Sequence, residues 1–331
     1  MQSVCMKDAC GRAIDYLRVS LTDRCNLRCI YCMPEEGIRL KPYEEIMRLE
    51  EILRAVKVAV GLGIRKVRLT GGEPLVRRGA VSFVAAVAAL PGLEDLAMTT
   101  NGILLPQLGQ DLRAAGLKRV NISLDTLKAE RFRQITRVGD LREVWKGIEA
   151  ALELGFSPVK LNVVVMRGVN DDELLDFAAL AFKHPLHVRF IECMPIGESG
   201  EKARNWLVPQ EEMLSVLSQH YQMEPFQGLH GAGPAKYYRL PGGQGTVGFI
   251  SPVSHHFCRR CNRLRLTADG KLRPCLLSRR EIDLLKLLRS GAGDEVIAEA
   301  FLQAVRDKPL RHYLAEEGWE GRTYFMHQIG G

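Results

Sequence analysis

Two groups of three cysteines are the first residues whose spacing could do chemistry. The stretch TDRCNLRCIYC places Cys25, Cys29 and Cys32 in a C-x3-C-x2-C run. Cys258, Cys261 and Cys275 follow much later as C-x2-C-x13-C. Thiolates hold zinc or iron–sulfur clusters. A closed zinc site takes four ligands, and each group offers three. Either ligands from both groups combine into zinc sites, with His255 or His256 completing the second, or each triad binds a [4Fe–4S] cluster and leaves one iron open to a non-protein ligand. For the second group alone both alternatives stand. For the first, its position directly after a predicted strand favours the cluster. Nine cysteines in 331 residues with no apolar leader point to metal or redox chemistry in a cytoplasmic setting, not to a disulfide framework. Cys5, Cys10 and Cys193 are left over, as a mobile N-terminal pair and a small buried residue.

These groups need elements to position them. DYLRVSLT alternates apolar and polar residues and reads as a strand. A helix is expected over 43–63, where apolar residues recur at helical spacing up to Gly61 and Gly63. Then RKVRLTGG, DLAMTTNG, RVNISLD, VKLNVVVM and HVRFIECM read as five further strands. The helices VSFVAAVAAL, LPQLGQDLRAAG, LREVWKGIEAALELG and DDELLDFAALAFK lie between them. Such alternation predicts an α/β fold with a parallel sheet, either a partial (β/α)6 barrel of the TIM type or an open doubly wound sheet. Function then gathers at the C-terminal strand ends. There the chain carries the first cysteine triad, GGEP at 71–74, TTNG at 99–102, Ser123 with Asp125, and Met194-Pro195. After about residue 197 the pattern changes to a Pro- and Gly-rich stretch, the second cysteine group, two helices and a terminal Gly330-Gly331. The expected units are an N-terminal tail (1–14), a βα array (15–230) and a C-terminal segment (231–331) that closes the mouth of the barrel.

The formal net charge is +7, a mild preference for anionic partners. There is no recognisable RNA module or extended basic stretch, which argues against a nucleic-acid partner. No apolar run approaches the ~20 residues of a spanning helix, so no membrane association is expected. Arg18, Arg68 and Arg189 stand inside strands of apolar character, where a buried charge needs a partner.

CNLRCIYC resembles the signature of the radical S-adenosylmethionine (SAM) superfamily, and GGEP resembles its motif for the SAM amino group. TDRCNLRCIYCMP, VRLTGGEPLVR, TTNG, NISLD, GVNDDEL, GFISPVS, FCRRCNRLRLTADGKLRPCL and the final GG together resemble the GTP 3′,8-cyclase (MoaA) family of molybdenum cofactor biosynthesis. The motifs run in family order from the first strand to the last residue. Gly79 stands where the family commonly has Asp, and His256 where Pro is more usual.

The resemblance implies two [4Fe–4S] clusters, on Cys25, Cys29 and Cys32 and on Cys258, Cys261 and Cys275, each with an open iron. SAM fills the first; its reductive cleavage gives a 5′-deoxyadenosyl radical that takes hydrogen from the ribose 3′ carbon of GTP. The sugar radical then attacks C8 of guanine. Tyr31, Gly72, Ser123 and Met194 are expected around SAM, and Thr99 where SAM and substrate meet. The triphosphate calls for cations, supplied by Arg18, Arg68, Lys160, Arg189, Arg263 and Arg265. Alternate residues of an extended segment share a face, so Arg263 and Arg265 can reach one ligand, and the guanidinium fork suits phosphate. Gly330 and Gly331 are expected inside the active site, where side chains have no room. An electron donor of the flavodoxin or ferredoxin type, the downstream cyclic pyranopterin synthase and a homodimer complete the implied partners.

Overall fold

The computed structural model describes residues 6–38, 41–196, 200–228, 233–312 and 325–330, with side chains for all of these but 200–202. The first half alternates as expected: β1 (Tyr16–Ser20), α1 (Leu49–Gly61), β2 (Lys66–Thr70), α2 (Ala80–Ala88), β3 (Asp95–Thr100), α3 (Leu105–Ala114), β4 (Arg119–Ser123), α4 (Ala129–Thr136), α5 (Leu141–Glu153), β5 (Val159–Val165), α6 (Leu174–Lys183) and β6 (Leu186–Glu192). There follow α7 (Gly200–Asn205), α8 (Gln210–Ser218), β7 (Glu224–Phe226), β8 (Lys236–Arg239), β9 (Thr246–Ile250), β10 (Arg263–Leu266), β11 (Lys271–Arg273), β12 (Ile282–Asp283), α9 (Leu284–Arg289) and α10 (Asp294–Arg306).

All the strands join one mixed sheet in the order β12-β11-β10-β1-β2-β3-β4-β5-β6-β9-β8-β7. The run from β10 through β1–β6 to β9 is parallel throughout. Two strands of the C-terminal segment therefore extend the βα array at both ends. Strand alternation sorts the side chains by face. Leu17, Val19, Val67, Leu69, Met98, Ile122, Leu161 and Phe190 pack outward in the core with Ile52, Val56, Phe83, Leu112, Ile148 and Phe177. Arg18, Arg68, Thr99, Ser123, Asn162, Arg189, Arg263 and Arg265 point the other way, into one shared cavity. Each large apolar side chain buried outside contributes about 1.5–3 kcal/mol. That layer offsets the several kcal/mol that each buried ion inside costs.

Local expectations fail where tertiary contacts intervene. The helix expected from residue 43 starts at Leu49, after a 3-10 turn at Tyr43–Glu45. Ile46 is extended, and Met47 N–H bonds Ala268 O at 2.9 Å, which commits this backbone to the loop after β10. α4, α7 and α8 are unexpected. α4 buries only Phe132, Ile135 and Thr136, too few positions to show a period. Residues 6–14 are not a loose tail. Met6 and Ile14 are buried, Lys7 bridges Ala13, and a buried Asp8–Arg12 pair closes the turn. Cys10 sits exposed on that docked turn, and Cys193 is buried as expected, whereas Cys5 lies outside the described residues.

Candidate active site

The first triad lies on the loop that leaves β1, and its shape is fixed by three neighbours. Gly71 and Gly72 press against it: a Cβ on Gly72 would stand 2.4 Å from Arg24 O, and one on Gly71 2.6 Å from Thr22 O. Gly72 N–H donates to Thr22 O and Glu73 N–H to Arg24 O, both at 2.8 Å. The close approach these glycines permit in the structure is thus to the chain's own loop before Cys25. The end of α4 supports the other side, with Arg28 N–H on Thr136 O at 3.0 Å and Ile30 N–H on Ile135 O at 2.9 Å. Arg137, at φ 64°, donates to Arg28 O and Met33 O, both at 3.0 Å, bracketing Cys29 and Cys32. A non-glycine residue in that region is strained and persists only when its surroundings impose it. Here the cysteine loop does so.

The second triad is gathered by a hairpin. Cys258 and Cys261 flank a 3-10 turn, β10 leaves from it, and β11 returns antiparallel with Arg265 opposite Arg273. Cys275 comes back to the turn, where Cys258 feels both it and Cys261. The thirteen-residue spacing is the length of that hairpin. Its turn needs Gly270, at φ +78°, where a Cβ would meet Leu285 Cβ at 2.5 Å.

All six cysteines are free and all line the one cavity. Burial pushes the Cys25 thiol up to about 11 and Cys32 to about 12. Cys29 lies well above the ordinary value through burial, then through Asp125, Cys32 and Cys25. Each sulfur thus feels its neighbours, yet among the described residues no three His, Cys, Asp or Glu converge tightly enough for a single metal ion. Four ligands at a zinc–sulfur distance of about 2.3 Å would sit nearly in contact. Thiolates on separate irons of a cluster stand further apart. The two groups of three thiols suit clusters, each thiolate on its own iron, better than a zinc site. Neither His255, which pairs with Glu211, nor His256, whose ring packs edge-on against His312 at 5.3 Å, completes one.

The cations expected around substrate converge. Arg68, Lys160, Arg189 and Arg265 are only 2–7% exposed, and Arg18 and Arg263 are half-buried on the same inner face. In register, Arg265, Arg18 and Arg68 form one row across β10, β1 and β2. Among the described residues, Arg68 Nε, Arg189 Nε and Nη2, and Arg263 Nε are buried without a hydrogen-bond partner. Burial, aggravated by Arg189, Arg119 and Arg68, lowers Lys160 to about 6. Burial lowers Arg68 to about 10, and Arg265 likewise with help from Arg263. The Tyr16 phenol is raised by burial but ends below its ordinary value, because Arg68, Arg18 and Arg263 surround it. This is a strong positive field with vacant donors, the signature of a polyanion site.

The first triad's surroundings have the opposite sign. Glu73, raised by burial to about 7, accepts from Thr100 Oγ1 at 2.7 Å, Asn101 N at 2.7 Å and Leu75 N at 3.1 Å. Asp125, raised by burial to about 6, accepts from Tyr31 Oη at 2.7 Å and Val164 N at 2.8 Å. Gly72, Ser123, Met194 and Tyr31 all line this part of the cavity. Thr99, which accepts from Asn121 Nδ2 at 3.3 Å, lies on the adjoining wall.

Gly330 is buried in the same place. It adopts φ +76°, with Thr70 Oγ1 2.9 Å from where a Cβ would stand, and Arg265 Nη1 donates to its carbonyl at 3.0 Å. Gly331 lies outside the described residues. Three neighbours were invisible in the sequence reading. His327 donates from Nδ1 to Cys32 O at 3.1 Å, Tyr237 lies 5.6 Å from the Lys160 ammonium, and Lys308 is buried beside the second triad. None stands in a motif. Only a charged residue just past an amphipathic helix could have hinted at Lys308.

Residues 19–181 match the radical SAM superfamily, and residues 186–314 match Molybdenum Cofactor Synthesis C. The GTP 3′,8-cyclase of Heliobacterium modesticaldum is 58% identical over 98% of this chain and 100% of its own length. This chain belongs to the GTP 3′,8-cyclase family. The family member from Moorella thermoacetica is 56% identical over the same shares. Among solved structures, Streptococcus suis SuiB bound to precursor peptide SuiA matches with a TM-score of 0.62 over 94% of this chain and 67% of that one. At 14% identity that likeness concerns the fold alone. Among the described residues no helix is long and apolar enough to cross a membrane.

Proposed function

We infer that this chain is a radical SAM enzyme that converts GTP to (8S)-3′,8-cyclo-7,8-dihydroguanosine 5′-triphosphate, the first step of molybdopterin biosynthesis. The observation that carries the inference is one cavity with a cysteine triad at each end, carboxylates beside the first and Arg263 and Arg265 beside the second, lined also by Arg18, Arg68 and Arg189, with Lys160 buried on the same face of the sheet. A cationic sulfonium ligand suits the first end and a triphosphate the second. Bound together, a cluster on Cys25, Cys29 and Cys32 and SAM would supply the radical chemistry that removes the ribose 3′ hydrogen.

The chain's own residues do the rest. Cys25, Cys29 and Cys32 hold the first cluster, and Cys258, Cys261 and Cys275 the second. Tyr31, Gly72, Ser123 and Met194 bound the SAM site, and Thr99 separates it from the substrate. The five arginines hold the triphosphate and Lys160 joins them on gaining a proton; the arginines' mutual repulsion in its absence gives part of the binding energy, since an anion relieves it. Arg265 bonds the tail carbonyl as well, so Gly330, with Gly331 beyond it, lies where substrate and second cluster meet. Bulk water is kept from the reacting atoms by the tail and by the apolar outer layer.

The architecture fitting this role is a partial (β/α)6 barrel over 15–230, with residues 231–331 closing its mouth and 1–14 as an N-terminal segment whose residues 6–14 dock against the rest. The family context further suggests a cytoplasmic homodimer fed by a flavodoxin or ferredoxin system and delivering product to cyclic pyranopterin synthase. The test is anaerobic incubation of reconstituted protein with SAM, dithionite and GTP. Cyclised nucleotide with 5′-deoxyadenosine supports the inference; 5′-deoxyadenosine without cyclised nucleotide overturns the substrate assignment.

A further inference from the structure

Lys308 is 4% exposed. It follows directly on α10, with its own N–H on Val305 O at 3.2 Å. Nζ donates to Arg263 O at 2.6 Å and to Pro274 O at 2.7 Å. Arg263 lies two residues after Cys261, and Pro274 immediately precedes Cys275. One ammonium group therefore ties together the two strands that present these cysteines. Lys308 lines the same cavity as Cys261 and Cys275, which puts its charge beside the triad. The remaining cysteine of the triad is tied by the N-terminal turn. Arg12 Nη1 donates to Cys258 O at 2.7 Å and Nη2 to Pro309 O at 2.7 Å, beside Lys308. Asp8 holds the Arg12 Nε side in turn.

We propose that Lys308 is a positioning residue for the second cluster: its ammonium fixes the separation of the segments that carry Cys261 and Cys275 and places a buried positive charge beside the triad, setting the cluster's reduction potential. The proposal rests on the second triad holding a cluster, as in the functional reading above. Two backbone carbonyls are an incomplete environment for a buried ammonium, because neither cancels its charge. Thiolates and a cluster supply the missing negative charge. Hydrogen bonds to sulfur and nearby charge are among the terms that set cluster potentials. A fixed positive charge favours the reduced, more negative cluster, so its loss moves the potential downward.

The test uses the full chain, reconstituted anaerobically. In a Cys25→Ala, Cys29→Ala, Cys32→Ala background only the second triad remains. Iron and sulfide content and an EPR-monitored redox titration are then measured for this parent and for its Lys308→Gln and Lys308→Met derivatives. Lys308→Gln keeps an amide donor for the carbonyls and loses the charge. It should retain its cluster yet shift the oxidised-to-reduced ratio about tenfold at fixed potential, which is about 59 mV lower for a one-electron couple. Lys308→Met loses both functions, and its iron content should fall at least threefold. In the reverse background, Cys258→Ala, Cys261→Ala, Cys275→Ala, adding Lys308→Gln should leave the loading of the first cluster unchanged. An unchanged potential in Lys308→Gln overturns the proposal. So does loss of both clusters together, which makes Lys308 a residue of the general fold. Absence of iron from the second triad with Lys308 intact would instead overturn the cluster assignment itself.

Discussion

Gly330→Ala tests whether the tail is held in the cavity by its backbone geometry. At φ +76° an L-residue with a Cβ costs roughly 1–2 kcal/mol relative to glycine. The new Cβ would also stand 2.9 Å from Thr70 Oγ1 and 3.5 Å from Ser20 Cβ. Thr70 is buried and its hydroxyl donates to Val19 O at 3.3 Å, so moving it off its rotamer adds about 0.5–1.5 kcal/mol. The sum, about 1.5–3.5 kcal/mol, shifts the docked tail on the order of 10- to 400-fold toward release. Opposing it are the Arg265 contacts to Gly330 O and Ile329 O, at 3.0 and 3.4 Å, and the buried Ile329. We expect hydrogen exchange at 325–330 to speed up and cyclised product per loaded enzyme to fall at least tenfold, with iron content unchanged. Adding Thr70→Ala removes the clash but not the backbone strain, so it should recover only part of the loss. Undiminished yield and unchanged exchange in Gly330→Ala would refute the argument.

Three further expectations concern ligands. Lys160, at about 6 in the free protein, must gain a proton when a triphosphate neutralises its neighbours, since the bound anion raises its pKa. Above pH 7 GTP affinity should therefore fall as pH rises, by at most about tenfold per unit for one proton, and calorimetry in buffers of different ionisation heat should show proton uptake that Lys160→Met lacks. Arg263→Ala and Arg265→Ala should each weaken GTP binding about tenfold to a hundredfold, for a charge-assisted contact of roughly 1.5–3 kcal/mol, with both clusters intact; equilibrium binding with iron analysis decides, and unchanged affinity in both removes them from the phosphate site. Replacing Cys25, Cys29 and Cys32 by Ala should halve the iron and abolish 5′-deoxyadenosine formation, and any remaining SAM cleavage would show that this triad does not carry the SAM cluster.

The chain's local order was legible because it is written in short windows. Strand alternation in YLRVS and RLRL already divided Leu17 and Leu264 from Arg18 and Arg265, and the cysteine spacings marked two three-ligand groups. Family motifs named the chemistry. Other features depend on residues far apart in the chain. Gly71 and Gly72 are glycines in the structure because the loop at Thr22–Arg24 lies against them, a contact no local window contains. The expected helix at 43 fails for the same reason, its backbone being taken by Ala268. Arg265, Arg18 and Arg68 become one row only when β10 pairs with β1 and β1 with β2, since repulsion and burial act through space and not along the sequence. Lys308 and Arg12 carry no motif at all. Their place at the second triad was decided by the tertiary fold, which brings residues 296 and 246 positions apart within hydrogen-bond reach.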